Sequence, residues 1–238
     1  FGHKFRLKKI SLAGQSGQEE KGRKARRAFF EKLAAEYKAR FIVTAHTQDD
    51  QLETIFFNFL RGSGPGGLAG MRPVNGQYFK PLLATAKKTL LEYLRKKRQP
   101  FCRDVMNKDT SYSRVLLRKK IIPLCRKINP SLESTLTRQA FLFENIEKLL
   151  AKKAAEFLRK NAHGGAVFPI KELEKLPESI QLTVIQEAYR AYTKLKYRLD
   201  LKNARAVLEM IQKGVGDKRL QISKKSSFLL KNGQLSIV

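Results

Sequence analysis

The 238 residues are enough for one large domain or two small ones, each with a core of its own. Forty-nine Lys and Arg against 21 acids give a formal charge of +28, too lopsided for an ordinary metabolic enzyme and pointing to a polyanion, nucleic acid first. No apolar run approaches the roughly 20 residues of a transmembrane helix and no signal-peptide pattern opens the chain, so no membrane partner is expected.

In chain order, Phe5, Leu7, Ile10 and Leu12 among lysines predict an edge-like strand. After Gly14-Gln15-Ser16-Gly17 comes a helix led by Glu19, Glu20, Arg23 and Arg26, with Phe29, Phe30, Leu33 and Tyr37 on its apolar side. Arg23 and Arg26, three apart, share one face, which a solvated basic face also explains. Phe41, Ile42 and Val43 form a short apolar run of the kind a buried parallel strand shows. Thr47 with Asp50 is a capping-box start for the next helix. Leu52, Ile55, Phe56, Phe59 and Leu60 then mark one face of that helix as core. His46, Asp49, Asp50 and Glu53 gather at its first turn, at the carboxyl end of a strand, where open α/β sheets put their ligands. Two adjacent Asp residues there also favour the helix dipole, and a cap needs no ligand. Arg61, Gly62, Ser63 and Gly64 open a stretch with five glycines between Gly62 and Gly70. Such a loop of backbone N–H groups beside a guanidinium suits a phosphate or a nucleotide, although a helix stop followed by a turn uses the same residues.

Between Lys80 and Lys127 there are 15 Lys and Arg against three acids, while residues 50–79 hold two of each sign, so the positive charge is a located surface. A helix over 86–98 carries Leu90, Leu91 and Leu94 inward and Arg95, Lys96, Lys97 and Arg98 at its end, where cations favour the dipole. Cys102 and Cys125 stand in no metal-ligand spacing, which fits a reducing cytosol and argues against structural zinc or an iron–sulfur cluster. Asn129-Pro130-Ser131 breaks the chain and starts a helix that runs to about residue 161, with a domain boundary near Ile128. Short helices follow, one over 204–211, and then strands over 219–223, 228–230 and 235–238. Asn232-Gly233 is a type I′ hairpin signal between the last two strands.

Ala45-His46-Thr47-Gln48-Asp49-Asp50-Gln51-Leu52-Glu53-Thr54, followed by Leu60-Arg61-Gly62-Ser63-Gly64 and Gly67-Leu68-Ala69-Gly70-Met71, resembles the central signature of the tRNA(Ile)-lysidine synthetases. These are members of the N-type ATP-pyrophosphatase group. The family's helix pattern Glu-x-x-x-Arg-x-x-Arg-Tyr is met by Arg23 and Arg26, with Arg27 where Tyr is usual. Its pattern Asp-x-Ser-Asn-x-Asp-x-x-Tyr-x-Arg-Asn-x-Ile-Arg is met by Asp104, Asn107, Asp109, Tyr112, Arg114 and Arg118. Met106 replaces Ser and Val115 replaces Asn.

The resemblance implies an α/β fold. A parallel-sheet nucleotide-binding domain of the HUP or Rossmann-like kind spans 1–128, and a smaller, mainly helical tRNA-recognition domain ending in a β-hairpin spans 129–238. The family's pyrophosphate loop, Ser-Gly-Gly-x-Asp-Ser, does not occur in these residues, which predicts a sequence incomplete at its N-terminus. The implied reaction is adenylation by ATP of the C2 oxygen of a wobble cytidine in tRNA(Ile), then attack by the ε-amine of free lysine. The chemistry asks for a carboxylate that holds Mg²⁺ or takes a proton, for which Asp50 is the first choice and Asp49 the second, beside His46. It also asks for cations on the transferred group, with Arg23, Arg26 and Arg114 as candidates, and a phosphate contact at Arg61 to Gly64. The tRNA would lie on Arg26, Asn107, Asp109, Tyr112, Arg118 and the run Arg95 to Arg98. A cytoplasmic enzyme is expected, with a homodimer left open. Two other classes fit parts of the pattern: a tRNA-thiolating relative, which would be expected to carry paired cysteines, and a non-catalytic basic RNA-binding protein.

Overall fold

A computed structural model of the chain describes residues 4–11, 18–102, 113–163, 166–194, 199–214, 217–223 and 226–238. Asn107, Asp109 and Tyr112 of the expected RNA contact, with Asp104 and Met106, lie outside the described residues. The first elements are α1 (Gln18–Glu36), β1 (Ile42–Val43), α2 (Gln48–Leu60), α3 (Pro65–Leu68), β2 (Val74–Asn75), β3 (Tyr78–Phe79) and α4 (Lys87–Lys96). Then come α5 (Ser113–Leu116), a π-helical turn (Leu117–Ile121), α6 (Ile122–Ile128) and α7 (Leu132–Asn161). The chain finishes with β4 (Val167–Pro169), α8 (Ile170–Glu174), α9 (Glu178–Thr193), α10 (Leu201–Gln212), β5 (Lys218–Ser223), β6 (Ser226–Lys231) and β7 (Gln234–Ile237).

Two compact units result, Phe1–Thr54 with Met71–Val115, and Ile55–Gly70 with Leu116–Val238. They part along a different line from the sequence division at Ile128, because α3 packs on α7 and so takes residues 55–70 into the second unit.

In the first unit, β1 pairs parallel with β3, Ile42 opposite Tyr78 and Val43 opposite Phe79, and β2 pairs antiparallel on the other side of β3. The run read as a buried strand is thus parallel, but among the described residues it is the edge of its sheet. Ile42 is buried, while Phe41 and Val43 are exposed, Val43 by 62%. Residues 4–11 form no strand, and Phe5 and Leu7 stand exposed. That segment is held to α1 by Arg6, whose guanidinium donates twice to the Tyr37 hydroxyl at 2.9 and 2.6 Å, and by Lys8 over the Phe29 ring.

The second unit has a single core in which α7, α9 and α10 pack with a four-stranded antiparallel sheet of order β4-β7-β6-β5. Phe168 and Phe228 are fully buried there, and burial of each contributes about 1.5–3 kcal/mol. Phe157 meets Phe168 edge-on and Tyr189 stacks on Phe228. Asn232 and Gly233 turn the chain between β6 and β7 with both φ values positive, the geometry of a type I′ turn.

Candidate functional site

The first turn of α2 is built by capping. Asp50 Oδ2 accepts the backbone N–H of Thr47 at 2.7 Å and the Thr47 hydroxyl at 2.8 Å. Thr54 returns a bond from its hydroxyl to the Asp50 carbonyl at 2.8 Å. The Thr47–Asp50 pairing expected from the sequence is therefore formed. Asp49 has a different partner. Its Oδ2 accepts the N–H of Lys87 at 2.8 Å, so it caps α4, whose own N-cap residue, Ala86, has no acceptor in its side chain. The Gln48 N–H reaches the Thr85 carbonyl beside it. Each carboxylate thus holds a helix start, and Asp50 also faces His46.

His46 follows β1 and is half-buried, with Nδ1 at 2.9 Å from the Thr44 hydroxyl. Burial pushes its imidazole below the ordinary value of 6.5, and Lys80, Arg114 and Arg26 push it the same way, while Asp50 pulls it up. Four of the residues around this imidazole are therefore one carboxylate and three cations, drawn from α1, α2, α5 and the end of β3. Arg26, His46, Asp50 and Arg114, named from the sequence, are brought to one electrostatic neighbourhood.

The depressed value has a sign that can be tested. An unfolded chain takes up the His46 proton at about 6.5 and the folded chain resists it. Stability is therefore full above about pH 6.5 and is lost as pH falls through that value and below. Denaturant midpoints measured from about pH 8 down to about pH 5 should decline, and His46→Gln should flatten that part of the decline.

Several residues that the sequence reading passed over complete the frame. Glu53, named there only as part of the first turn, is 2% exposed. The Gln51 amide clamps Met71 in both directions, accepting its N–H at 2.7 Å and donating to its carbonyl at 3.1 Å. Arg27, standing where the resembled pattern has Tyr, lies over the Tyr78 ring at 4.8 Å and donates to Glu31 at 2.9 Å, which fastens α1 to β3. Lys80, directly after β3, is half-buried and donates to the Arg72 carbonyl at 3.2 Å. Arg23 is exposed on α1, and Arg95, Lys96, Lys97 and Arg98 are exposed at the end of α4. Arg118 lies in the π-helical turn rather than in an α-helix continued from Arg114.

The glycine-rich stretch, in the second unit, is a tied structure. Gly62, at φ +69°, ends α2. The N–H groups of Gly62, Ser63, Gly67, Leu68, Ala69 and Gly70 donate to carbonyls of the stretch or of the last turn of α2. Among the described residues, those of Gly64 and Gly66 make no such bond. The expected open loop of N–H groups is thus largely spent on its own α3 turn. The Asn58 amide donates to the Gly67 carbonyl at 2.7 Å, and Arg61 lies over the Phe57 ring at 4.6 Å.

Two of these glycines have a packing reason. A Cβ on Gly67 would sit 2.4 Å from Ser63 Cβ, and one on Gly66 would sit 3.1 Å from the end of the Glu147 side chain on α7. Gly67→Ala should therefore cost about 1–3 kcal/mol, and Gly66→Ala less, because the Glu147 side chain has to give by far less than Ser63 does. Urea midpoints of the two variants check the order.

Among the described residues no group of three or more His, Cys, Asp or Glu gathers to hold a metal ion. Mg²⁺ does not need one, because one or two carboxylates plus substrate phosphates suffice. Cys102 is exposed and Cys125 half-buried, both as free thiols. No helix among the described residues is long and apolar enough to cross a membrane.

A parallel strand pair followed by an imidazole and a helix-capping carboxylate, with cations from neighbouring helices, fits a nucleotide-binding α/β class, and the comparison with known families agrees. The family model of the PP-loop domain matches residues 2–125, and the chain belongs to that family. It is similar to the tRNA(Ile)-lysidine synthase of Geobacter sulfurreducens, 35% identical over 176 residues that cover 71% of this chain and 37% of that protein. The enzyme of the same name from Thermosipho africanus is 38% identical over 131 residues, 55% of this chain and 30% of its own. The chain thus spans well under half the length of these relatives. A solved structure, the U34-tRNA thiolase NcsA from Methanococcus maripaludis with its [4Fe-4S] cluster, aligns over 57% of this chain and 47% of its own, at 16% identity and a TM-score of 0.43.

Proposed function

We propose that the protein takes part in forming lysidine on tRNA(Ile), with ATP as the activating substrate. The observation that carries this reading is its similarity to the tRNA(Ile)-lysidine synthases at 35% and 38% identity. In the proposed sequence, the C2 oxygen of the wobble cytidine attacks the α-phosphorus of ATP and pyrophosphate leaves. The ε-amine of free lysine then attacks C2, and AMP leaves with the oxygen.

Each residue has a task set by its chemistry. Lysine arrives as an ammonium of pKa about 10.4, which must lose a proton before it can attack, and Asp50 takes that proton or stands beside it. Where Mg²⁺ is bound, Asp50 would hold it, and the ion would neutralise charge on the phosphates. Arg26 and Arg114, with Arg23 on the same helix as Arg26, balance negative charge on the transferred group. His46 is largely neutral at pH 7, given its lowered value, and so offers a hydrogen bond rather than a charge. Arg61 and the free N–H groups at Gly64 and Gly66 offer phosphate contacts, with Gly62 and Ser63 shaping the turn. Asn107, Asp109, Tyr112 and Arg118, with Arg95 to Arg98, belong to the tRNA side of this reading. An adenylation part followed by a recognition part, and a homodimer, belong to the same reading.

The test is direct. The full-length protein is supplied with ATP, Mg²⁺, labelled lysine and a tRNA(Ile) transcript. Label should enter the tRNA only when ATP is present, with one AMP and one pyrophosphate released per lysine. Incorporation of sulfur in place of lysine, or tRNA binding without ATP turnover, overturns the reading.

A further inference from the structure

We infer that Lys80 is a nucleotide-contacting residue: its ammonium, at the carboxyl end of β3 next to the end of β1, binds a phosphate oxygen of ATP. The inference rests on the reading above for the identity of the nucleotide, and it adds a residue that neither motif of the sequence names. Its geometry comes from the sheet. Val43 and Phe79 are partners in the parallel pair, so Thr44 and Lys80 are the next residues out of β1 and β3, and the Thr44 N–H donates to the Phe79 carbonyl at 2.9 Å. Ligands of open α/β sheets bind at that end of the strands. Thr44 leads at once to His46, and Lys80 acts on the same imidazole together with Arg114 and Arg26.

The surroundings of Lys80 are wrong for a structural ion pair and right for an anion. An ammonium has three N–H donors, and among the described residues one of them has an acceptor, the Arg72 carbonyl. No carboxylate among the described residues pairs with it. Burial and the Arg27 guanidinium both act against its charge. A half-buried cation beside other cations costs free energy in the empty protein, and a polyphosphate offsets that cost. The position also separates Lys80 from the exposed cations at the end of α4. Those present charge to a long backbone, whereas Lys80 is half-buried directly after β3, at the strand ends.

Three variants of the full-length protein test this, with ATP affinity read by equilibrium titration in the absence of lysine and tRNA. Lys80→Gln keeps a donor for the Arg72 carbonyl but loses the charge, and Lys80→Arg keeps both. Lys80→Met loses both. Gln and Met should each weaken ATP binding about 10- to 100-fold, the size expected for a lost charge-assisted bond. Arg should return it to within about threefold, since a guanidinium also binds phosphate. Melting temperatures should stay within about 2 °C of the parent.

If Lys80→Gln binds ATP as the parent does, the lysine is only a tether for Arg72 and the inference fails. It fails equally if Gln weakens tRNA binding and leaves ATP affinity unchanged, if Arg is as poor as Met, or if the parent does not bind ATP. A parent that binds ATP but incorporates no lysine would sink the lysidine reading alone, and the titrations would still decide the role of Lys80.

Discussion

Asp50→Asn in the full-length protein should lower lysine incorporation by more than about 100-fold while the fold stays intact. The amide keeps the structural bonds, since its oxygen can still accept the Thr47 N–H and hydroxyl that Asp50 accepts at 2.7 and 2.8 Å. What it loses is the charge. For the helix this is a dipole contribution of about 0.3–1 kcal/mol. For a chain of this size that shifts the melting temperature by no more than about 4 °C. For the chemistry it removes the group that takes a proton or holds Mg²⁺, and contributions of this kind run to about 10²- to 10⁴-fold in rate. Turnover, melting and tRNA affinity measured on one preparation separate the two roles. If the Asn variant turns over within a fewfold of its parent, Asp50 is a helix cap and the assignment is wrong. Asp49→Ala gives the contrast, because it removes the oxygen that accepts the Lys87 N–H at the start of α4, so its effect should appear mainly in stability.

Local pattern was legible in this sequence wherever both partners lie within a few residues. Thr47 and Asp50 are three apart, and their pairing followed from residue types alone. Asp49 and Lys87 are far apart in sequence, and no periodicity joins them. The one hint was at α4 itself, whose start, Ala86-Lys87-Lys88, has no capping residue of its own and so asks for one from elsewhere. The apolar face of α2 shows the same limit. Leu52 and Ile55 are buried as the 3.6-residue period requires, yet Phe59 and Leu60 on that face are 64% and 63% exposed. Period identifies a face, while burial depends on how far a neighbouring element extends along it. The glycines were read for their N–H groups, but Gly66 and Gly67 are explained by missing Cβ atoms, against Glu147 and Ser63. Lys80 was counted only as one charge of a basic surface, because nothing local shows that β3 ends beside β1. His46 and Asp50 were read from the turn that joins strand to helix and Arg26 from its spacing to Arg23, whereas Arg114 came through the resemblance; the fold, and not the sequence order, brings the four together.

Replacing Arg95, Lys96, Lys97 and Arg98 together by Gln should weaken tRNA binding by roughly 10³-fold at 0.1 M salt and leave ATP binding untouched. All four are exposed, at the last turn of α4 and just beyond it. Their placement is fixed by the helix end: Lys97 is its C-cap, with its ammonium over the exposed Tyr93 ring at 5.9 Å, and Arg98 turns the chain at φ +51°. Each cation that neutralises a phosphate releases condensed counterions, adding about 0.7 to the salt slope on a single strand and about 0.9 on a duplex. Four contacts therefore sum to a slope of about 3, worth roughly three decades of affinity between 1 M and 0.1 M salt. The variant should lose that slope as well as the affinity, so that its binding curve meets the parent's at high salt. The loss should be similar for every tRNA, because phosphates carry no sequence. Reversal to Glu should weaken binding further, and it also sets negative charge at a helix C-terminus, a cost to the fold of about 0.3–1 kcal/mol per residue. The Gln series is for that reason the cleaner measurement. A loss of affinity equal at low and high salt, or confined to one tRNA, would mean that these side chains shape a specific contact, and the electrostatic account of the surface would fall.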